Sequence, residues 1–184
     1  MEGSTNTHKQ GVELGLGSAG ANAAQYLTFM LNGEEYGVDI LRVQEIKGWE
    51  NATEIPNTPP YVLGVINLRG AIMPVIDMRL RFGFPSVEYT AATVVIVLRV
   101  RNENGQERTM GFVVDAVSDV YNIPVGNLQP PPDFGGTIRT DYVRGLAMVD
   151  EKMVILLDVD YLVASDEAMI DAEEPAEIAE SLAE

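Results

Sequence analysis

The sequence contains an internal repeat, and this repeat limits the possible folds more than any other feature. Residues 61–80, YVLGVINLRGAIMPVIDMRL, align without a gap with residues 142–161, YVRGLAMVDEKMVILLDVDY. Residues 37–46, GVDILRVQEI, align in the same way with residues 111–120, GFVVDAVSDV. The repeat predicts two related units of roughly 65 residues, and units of that size bury little surface alone. We therefore expect the two units to pack together through a shared apolar layer.

Within each unit the sequence predicts short β-strands. Apolar runs of strand length are separated by turn signals, among them Asn-Gly at 32–33, Arg-Gly at 69–70 and Asn-Gly at 104–105. Such a pattern is typical of β-barrels or sandwiches. One helix is predicted near the end, at 158–170, with Asp158 as its N-terminal cap. The predicted fold class is therefore mainly β with a short C-terminal helix.

The sequence divides into five predicted segments. They are a disordered lead-in (1–24), a first β-barrel subdomain (25–90), a second β-barrel subdomain (91–157), the C-terminal helix (158–170) and an acidic tail (171–184). The lead-in is rich in small and polar residues, which offer little apolar surface to bury.

The formal net charge of −16 comes largely from the end of the chain. Ten of the 28 acidic residues lie from Asp158 onward, and no Lys or Arg follows Lys152. The remaining 18 acidic residues face 12 basic ones, a balance that argues against nucleic-acid binding. No apolar run reaches the ~18 residues of a membrane span, so the expected location is the cytoplasm.

Few residues offer catalytic chemistry. The chain has no cysteine, and its one histidine, His8, lies in the lead-in, so thiol, Ser-His and zinc chemistry are not expected. The G-x-G-x-x-G match at 15–20 lacks the strand and helix of a dinucleotide site. The carboxylates of Asp158 and Asp160 fit no calcium loop. We expect no enzyme activity, no metal and no cofactor, although a hydrolase that uses carboxylates alone stays open.

The hairpin VINLRGAIMPVID, residues 65–77, carries Arg69 in the middle of a strongly apolar run. A turn that needs positive φ explains Gly70. The repeat places Asp150 and Glu151 at the same turn of the second unit, so the fold itself does not require an arginine there. Arg69 is either a binding residue or an ordinary exposed turn residue, and the sequence alone favours neither.

Three blocks of sequence carry a resemblance to a known family. They are EEYGVDILRVQEIKG (34–48), IPNTPPYVLGVINLRGAIMPVIDMRLRFG (55–83) and GFVVDAVSDV (111–120). Over residues 26–163 the chain resembles the CheW family of bacterial chemotaxis coupling proteins. The resemblance implies two five-stranded SH3-like barrels on a common apolar core. It also implies a non-catalytic adaptor that bridges transmembrane chemoreceptors and a histidine autokinase in arrays under the inner membrane.

The resemblance further implies partners and contact residues. The partners are the kinase's regulatory domain, itself a similar double barrel, and the cytoplasmic hairpin tip of the receptors. The isolated chain is expected to be a monomer that reaches the membrane only through receptors. Positions matching the family's receptor surface are Val43, Glu45, Gly64, Arg69 and Val120. Positions matching its kinase surface are Leu27, Val38 and Leu41.

Glu45 is expected to lie near Arg69, where an ion pair would hold the guanidinium in place for a partner. An adaptor of the same fold in another kinase pathway, such as twitching motility, would show the same order of motifs. That alternative therefore stays open beside the chemotaxis role.

Overall fold

The computed structural model describes residues 23–133 and 140–170. Most of the predicted lead-in, including His8 and the glycine match at 15–20, lies outside these residues, as does the predicted tail 171–184. The strands of the first repeat unit are β1 (Ala23–Leu31), β2 (Glu34–Asp39), β3 (Val43–Gly48), β4 (Val62–Leu68) and β5 (Ala71–Asp77). The strands of the second unit are β6 (Val94–Arg101), β7 (Glu107–Val114), β8 (Ala116–Pro124), β9 (Val143–Val149) and β10 (Lys152–Leu157). The helices are α1 (Met78–Arg81) and α2 (Val159–Ile170), and short 3-10 helices cover Ile40–Arg42 and Val125–Asn127.

The strands form two five-stranded sheets. Sheet A has the order β8-β1-β2-β10-β9, and sheet B has the order β3-β6-β7-β5-β4. Neighbouring strands are antiparallel, except that β2 is parallel to β10 and β5 is parallel to β7. The prediction of a mainly β fold with two SH3-like barrels and a C-terminal helix is confirmed.

The two sheets are related by the repeat, but they are not consecutive segments of the chain. Exchanging each strand for its counterpart in the other unit converts the order of sheet A into that of sheet B. The first unit gives β1 and β2 to sheet A and β3 to β5 to sheet B, and the second unit does the reverse. The prediction that 25–90 and 91–157 each form a separate barrel is therefore wrong, because the chain crosses between sheets after β2 and again after β7.

The largest apolar core cluster takes residues from both units, as the repeat predicted. Its buried members include Phe29 and Ile76 from the first unit and Ile96, Phe112 and Leu162 from the second. Removing apolar surface from water contributes roughly 25 cal/mol per Å². A shared layer of this kind stabilises two units that are each too small to bury a sufficient core.

Both helices begin after an aspartate, as the sequence predicted for Asp158. The Oδ1 atom of Asp158 accepts a hydrogen bond of 3.1 Å from the backbone N–H of Tyr161. The Oδ1 atom of Asp77 accepts bonds of 2.8 Å from the N–H of Arg79 and 3.2 Å from that of Leu80. These bonds satisfy N–H groups that have no partner within the helix. The repeated aspartates therefore have a structural role.

Candidate functional site

Arg69 lies in the two-residue turn that joins β4 to β5. Its φ is +52°, that of Gly70 is +86°, and the N–H of Gly70 donates a 2.8 Å hydrogen bond to Asn67 Oδ1. Positive φ at both central residues matches the twist of a hairpin and favours Asn or Gly at the first of them. An arginine in this left-handed conformation costs about 1–2 kcal/mol. The residue at position 69 is thus not the one that the turn prefers.

The equivalent turn of the second unit joins β9 to β10 and has the same backbone conformation. Asp150 has a φ of +48° and Glu151 a φ of +65°. The sequence comparison of the two turns is therefore confirmed in the backbone. Because the same conformation forms with two acidic residues, the fold does not require the arginine.

The guanidinium of Arg69 forms an ion pair with Glu45, as the resemblance implied. Arg69 Nη2 donates a hydrogen bond to Glu45 Oε2, and the two side chains are 78% and 24% exposed. Glu45 lies on β3 and Arg69 follows β4, which are the two edge strands of sheet B. The pair therefore joins the two edges of one barrel. An exposed pair of this kind contributes only about 0–1 kcal/mol to stability.

Val43 shares a side of β3 with Glu45, as the alternation of the strand predicted. Residues 43, 45 and 47 are half-buried, whereas residues 44, 46 and 48 are exposed. Val43 packs against the largest core cluster, so part of its surface is committed to the fold. Ile46, on the opposite side of the strand, is an exposed apolar residue that the sequence analysis did not single out.

Gly64 has a structural role that the repeat indicated. Its φ is +131°, and a Cβ atom there would lie 2.0 Å from the carbonyl oxygen of Thr53. Thr53 and Val65 exchange two backbone hydrogen bonds of 2.9 Å beside it. The second unit has the same arrangement, in which Gln129 pairs with Leu146 next to Gly145. Gly64 thus allows a close backbone approach behind the Arg69 hairpin.

Val120 lies in the other barrel, on the edge strand β8 of sheet A. It is 45% exposed, and Ile46, its counterpart in the repeat, is 43% exposed. The structure therefore joins Glu45 and Arg69 directly, places Val43 and Gly64 on the strands that carry them, and puts Val120 on the second barrel.

Two of the three residues predicted to contact a kinase are buried. Leu27 is 4% exposed and Val38 is 2% exposed, and they face each other across β1 and β2 within the core cluster. Their assignment to a kinase-binding surface is therefore wrong, because both side chains pack inward. Leu41, in the 3-10 helix Ile40–Arg42, is 84% exposed and remains available to a partner.

An apolar cleft of about 400 Å³ lies beside the Arg69 turn. Its walls include Leu68, Ile72, Met73 and Pro74 of the hairpin, with Gln44 of β3 opposite. Ile72 is largely exposed. The sequence did not single out this surface, because the hairpin is apolar at alternate and intervening positions alike. Ile76, on the same side of β5 as the exposed Ile72, is buried in the shared core.

The carboxylates considered for metal binding have other partners. Asp158 caps α2, and both carboxylate oxygens of Asp160 accept hydrogen bonds from Arg42. Within 23–133 and 140–170 no group of three His, Cys, Asp or Glu side chains could hold a metal ion, and no helix there could cross a membrane. An intertwined double barrel with an anchored, exposed arginine and exposed apolar residues defines an interaction module.

Comparison with known proteins identifies the family of this module. Residues 25–167 match the CheW-like domain, and the chain belongs to the CheW family of chemotaxis adaptors. It is 46% identical to the chemotaxis protein CheW of Klebsiella aerogenes, over 80% of this chain and 86% of the relative. It is 38% identical to CheW of Rhizobium meliloti, over 79% of this chain and 96% of the relative. The scaffolding protein TtCheW of Thermoanaerobacter tengcongensis has a similar structure, with a TM-score of 0.67 and 36% identity over 79% of this chain and 90% of that one.

Proposed function

We propose that the chain couples transmembrane chemoreceptors to a histidine autokinase, and that Arg69 is the central receptor contact. One observation carries the assignment of Arg69. The arginine is 78% exposed and anchored by Glu45, in a turn whose backbone favours other residues. A side chain kept at a local cost, and absent from the equivalent turn, is retained for a contact outside the fold.

The chemistry of the guanidinium indicates what it binds. Arginine carries five N–H donors in a planar fork, which suits carboxylates and pairs of backbone carbonyls. Glu45 holds one side of the fork and reduces the rotational freedom that binding would otherwise remove. We propose that the receptor's cytoplasmic tip supplies the acceptors, and that Val43 adds an apolar contact on the same strand as Glu45.

The kinase-binding surface is proposed to lie at Leu41. This side chain is 84% exposed, next to the crossover from β2 to β3, and an apolar residue so exposed contributes nothing to the core. Burying it against the regulatory domain would contribute about 1.5–3 kcal/mol. Receptor and kinase would then meet different residues of the first unit, and the chain could bind both at once beneath the inner membrane.

Calorimetric titration tests the two surfaces separately. The chain is titrated with the regulatory domain of its own organism's chemotaxis kinase, and then with a receptor fragment that contains the cytoplasmic tip. We expect saturable binding of both. Arg69→Ala should weaken receptor binding and leave kinase binding unchanged, whereas Leu41→Ser should do the reverse.

Asp150→Ala is the matched control, because it changes the equivalent turn of the second unit. It should alter neither affinity. If the kinase domain fails to bind the unmodified chain, the coupling role in chemotaxis is wrong, and an adaptor role in another kinase pathway becomes the better assignment. If Arg69→Ala and Asp150→Ala weaken receptor binding equally, Arg69 is not the specific contact.

A further inference from the structure

Two short ion pairs join the first repeat unit, β1 to β5 with α1, to the second unit, β6 to β10 with α2. Arg42 meets Asp160 in a two-point contact, with distances of 2.6 Å from Nη2 to Oδ2 and 3.2 Å from Nη1 to Oδ1. Arg79 Nη1 lies 2.7 Å from Asp115 Oδ2. Each contact therefore combines opposite charges with a hydrogen bond, which makes it stronger than a neutral contact.

The two pairs occupy similar places in the repeat, although Arg42 and Asp115 are one residue apart in the alignment. Arg79 is the second residue of α1, and Asp160, its counterpart in the alignment, is the second residue of α2. Arg42 ends the 3-10 helix between β2 and β3, and Asp115 lies between β7 and β8. These are the two crossovers at which the chain leaves one sheet for the other. In both pairs a crossover of one unit contacts the helix of the other unit.

Both carboxylates are fixed by further hydrogen bonds. Asp115 Oδ2 accepts a 2.9 Å bond from the backbone N–H of Asn32, at the end of β1. Asp160 Oδ1 accepts a 2.7 Å bond from the backbone N–H of Arg101, at the end of β6. The side chain of Arg79 is only 10% exposed. The charges are therefore held in place and partly removed from water, where they interact strongly.

The signs of the charges follow the units. The first unit contributes both arginines, and the second contributes both aspartates. Pairing of the first unit with the first unit of another copy would bring Arg42 against Arg79. Pairing of two second units would bring Asp115 against Asp160. We infer that these two pairs form a charge code that lets each unit accept the other as its partner and reject a second copy of itself.

The code has a consequence for assembly, because one chain holds a single copy of each unit. Pairing of like units therefore requires two chains and gives an exchanged dimer, and exchange of elements between copies is a low-cost route to dimers. Repulsion in the wrong pairing is an established route to specificity. A looser contact, 3.9 Å between Arg144 and Asp39, also joins the units. It would be lost in like-unit pairing, since the repeat places Leu63 and Val113 at these positions.

Exchanging the charges of one pair tests the code without removing any attraction between unlike units. In the double variant Arg42→Glu with Asp160→Arg, unlike units still attract each other at both places. Like units now attract as well, because the new carboxylate at position 42 would face Arg79 and the new guanidinium at position 160 would face Asp115. Exchanging the second pair too, with Arg79→Glu and Asp115→Arg, restores repulsion between like units. Each full-length chain is refolded from urea at high concentration, and its dimer-to-monomer ratio is measured by size exclusion with light scattering.

We expect the single exchange to raise that ratio on the order of tenfold. The variant with all four changes should return to the ratio of the unmodified chain, although its structure is altered more. No rise in the single exchange would overturn the inference. Equal dimerisation of the two variants would also overturn it, because general destabilisation would then explain the dimer.

If circular dichroism shows that an exchanged chain does not fold, isosteric neutral changes provide the second test. Arg42→Gln with Asp160→Asn removes every like-charge contact from both wrong pairings and keeps the Arg79–Asp115 pair. This variant must also raise the dimer-to-monomer ratio. An unchanged ratio would contradict the charge code even without the exchanged chains.

Discussion

Replacing Arg69 with asparagine should separate binding from stability. Asparagine tolerates the left-handed conformation, so the change relieves up to about 1–2 kcal/mol of strain. It also removes an exposed ion pair with Glu45, worth about 0–1 kcal/mol. These two terms oppose each other, so the change in the free energy of unfolding should lie between a loss of about 1 kcal/mol and a gain of about 2 kcal/mol. For a domain of this size the melting temperature would fall by at most about 4 °C or rise by at most about 8 °C.

Arg69→Asn should nevertheless weaken receptor binding clearly, in a protein that is not strongly destabilised. Hydrogen bonds to a charged group contribute about 1.5–3 kcal/mol each. Losing one such bond to the receptor tip would weaken the affinity by roughly 10- to 150-fold. Asparagine restores the preferred turn, so a disturbed hairpin could not explain a loss of this size.

Two measurements on the same variant test this reasoning. Calorimetry with the receptor-tip fragment gives the affinity, and urea unfolding followed by Trp49 fluorescence gives the stability. Trp49 is the only tryptophan, and its ring lies 4.7 Å from that of Tyr89, so unfolding changes its surroundings. Asp150→Asn at the equivalent turn is the control. Unchanged receptor affinity would refute the binding role, and a loss of several kcal/mol in stability would show that Arg69 is structural.

Three further predictions follow from the packing. Gly64→Ala should lower the free energy of unfolding by more than about 4 kcal/mol, because its Cβ would lie 2.0 Å from the oxygen of Thr53; a loss below about 1 kcal/mol in urea unfolding would contradict this. Burial and a 2.5 Å hydrogen bond to Asp77 raise the pKa of Tyr89 above its ordinary value of 10.0. The unfolded chain therefore ionises first, and stability should fall as pH rises past 10; thermal melting of Tyr89→Phe should show a smaller fall. Truncation after Asp166 should leave the melting temperature unchanged, whereas early melting or aggregation would show that the tail supports the fold.

The sequence predicted those parts of the fold that depend on local pattern. The hairpin turns, the aspartate cap of α2 and the shared core all follow from the repeat and from the spacing of apolar residues. The alignment alone predicted that the turns at 69–70 and 150–151 are equivalent. The structure confirms this, because the aligned residues have the same backbone conformation in both units.

The exchange of strands between the units could not be predicted in this way. A repeat shows that β1 corresponds to β6 and β3 to β8. It does not show whether β1 and β2 pair with the later strands of their own unit or with those of the other. Both arrangements bury the same residues and use the same turns. The direction of the chain at Ile40–Arg42 and at Asp115 decides between them, and no local pattern marks that direction.

The assignment of Leu27 and Val38 to a kinase-binding surface came from the family resemblance, and strand alternation could not have corrected it. Alternation identifies an exposed side only when one face of a strand meets water. Residues 26–29 of β1 are all buried, because β1 lies between β8 and β2 and has apolar clusters on both faces. The alternation of β3 correctly predicted that Val43 and Glu45 share one side of the strand, because β3 is an edge strand of sheet B with one exposed side.

The repeat also provides an internal comparison for every residue that differs between the units. Residues shared by both units, such as Gly64 and Gly145, serve a need of the backbone that occurs twice. Residues that differ have two possible reasons, a partner outside the chain or a partner in the other unit, and burial distinguishes them. Arg69 is 78% exposed and pairs within its own unit, whereas Arg79 is 10% exposed and pairs with Asp115 of the other unit. This difference in burial supports our proposals that Arg69 serves recognition of a partner and that Arg79 serves recognition between the two halves of the same chain.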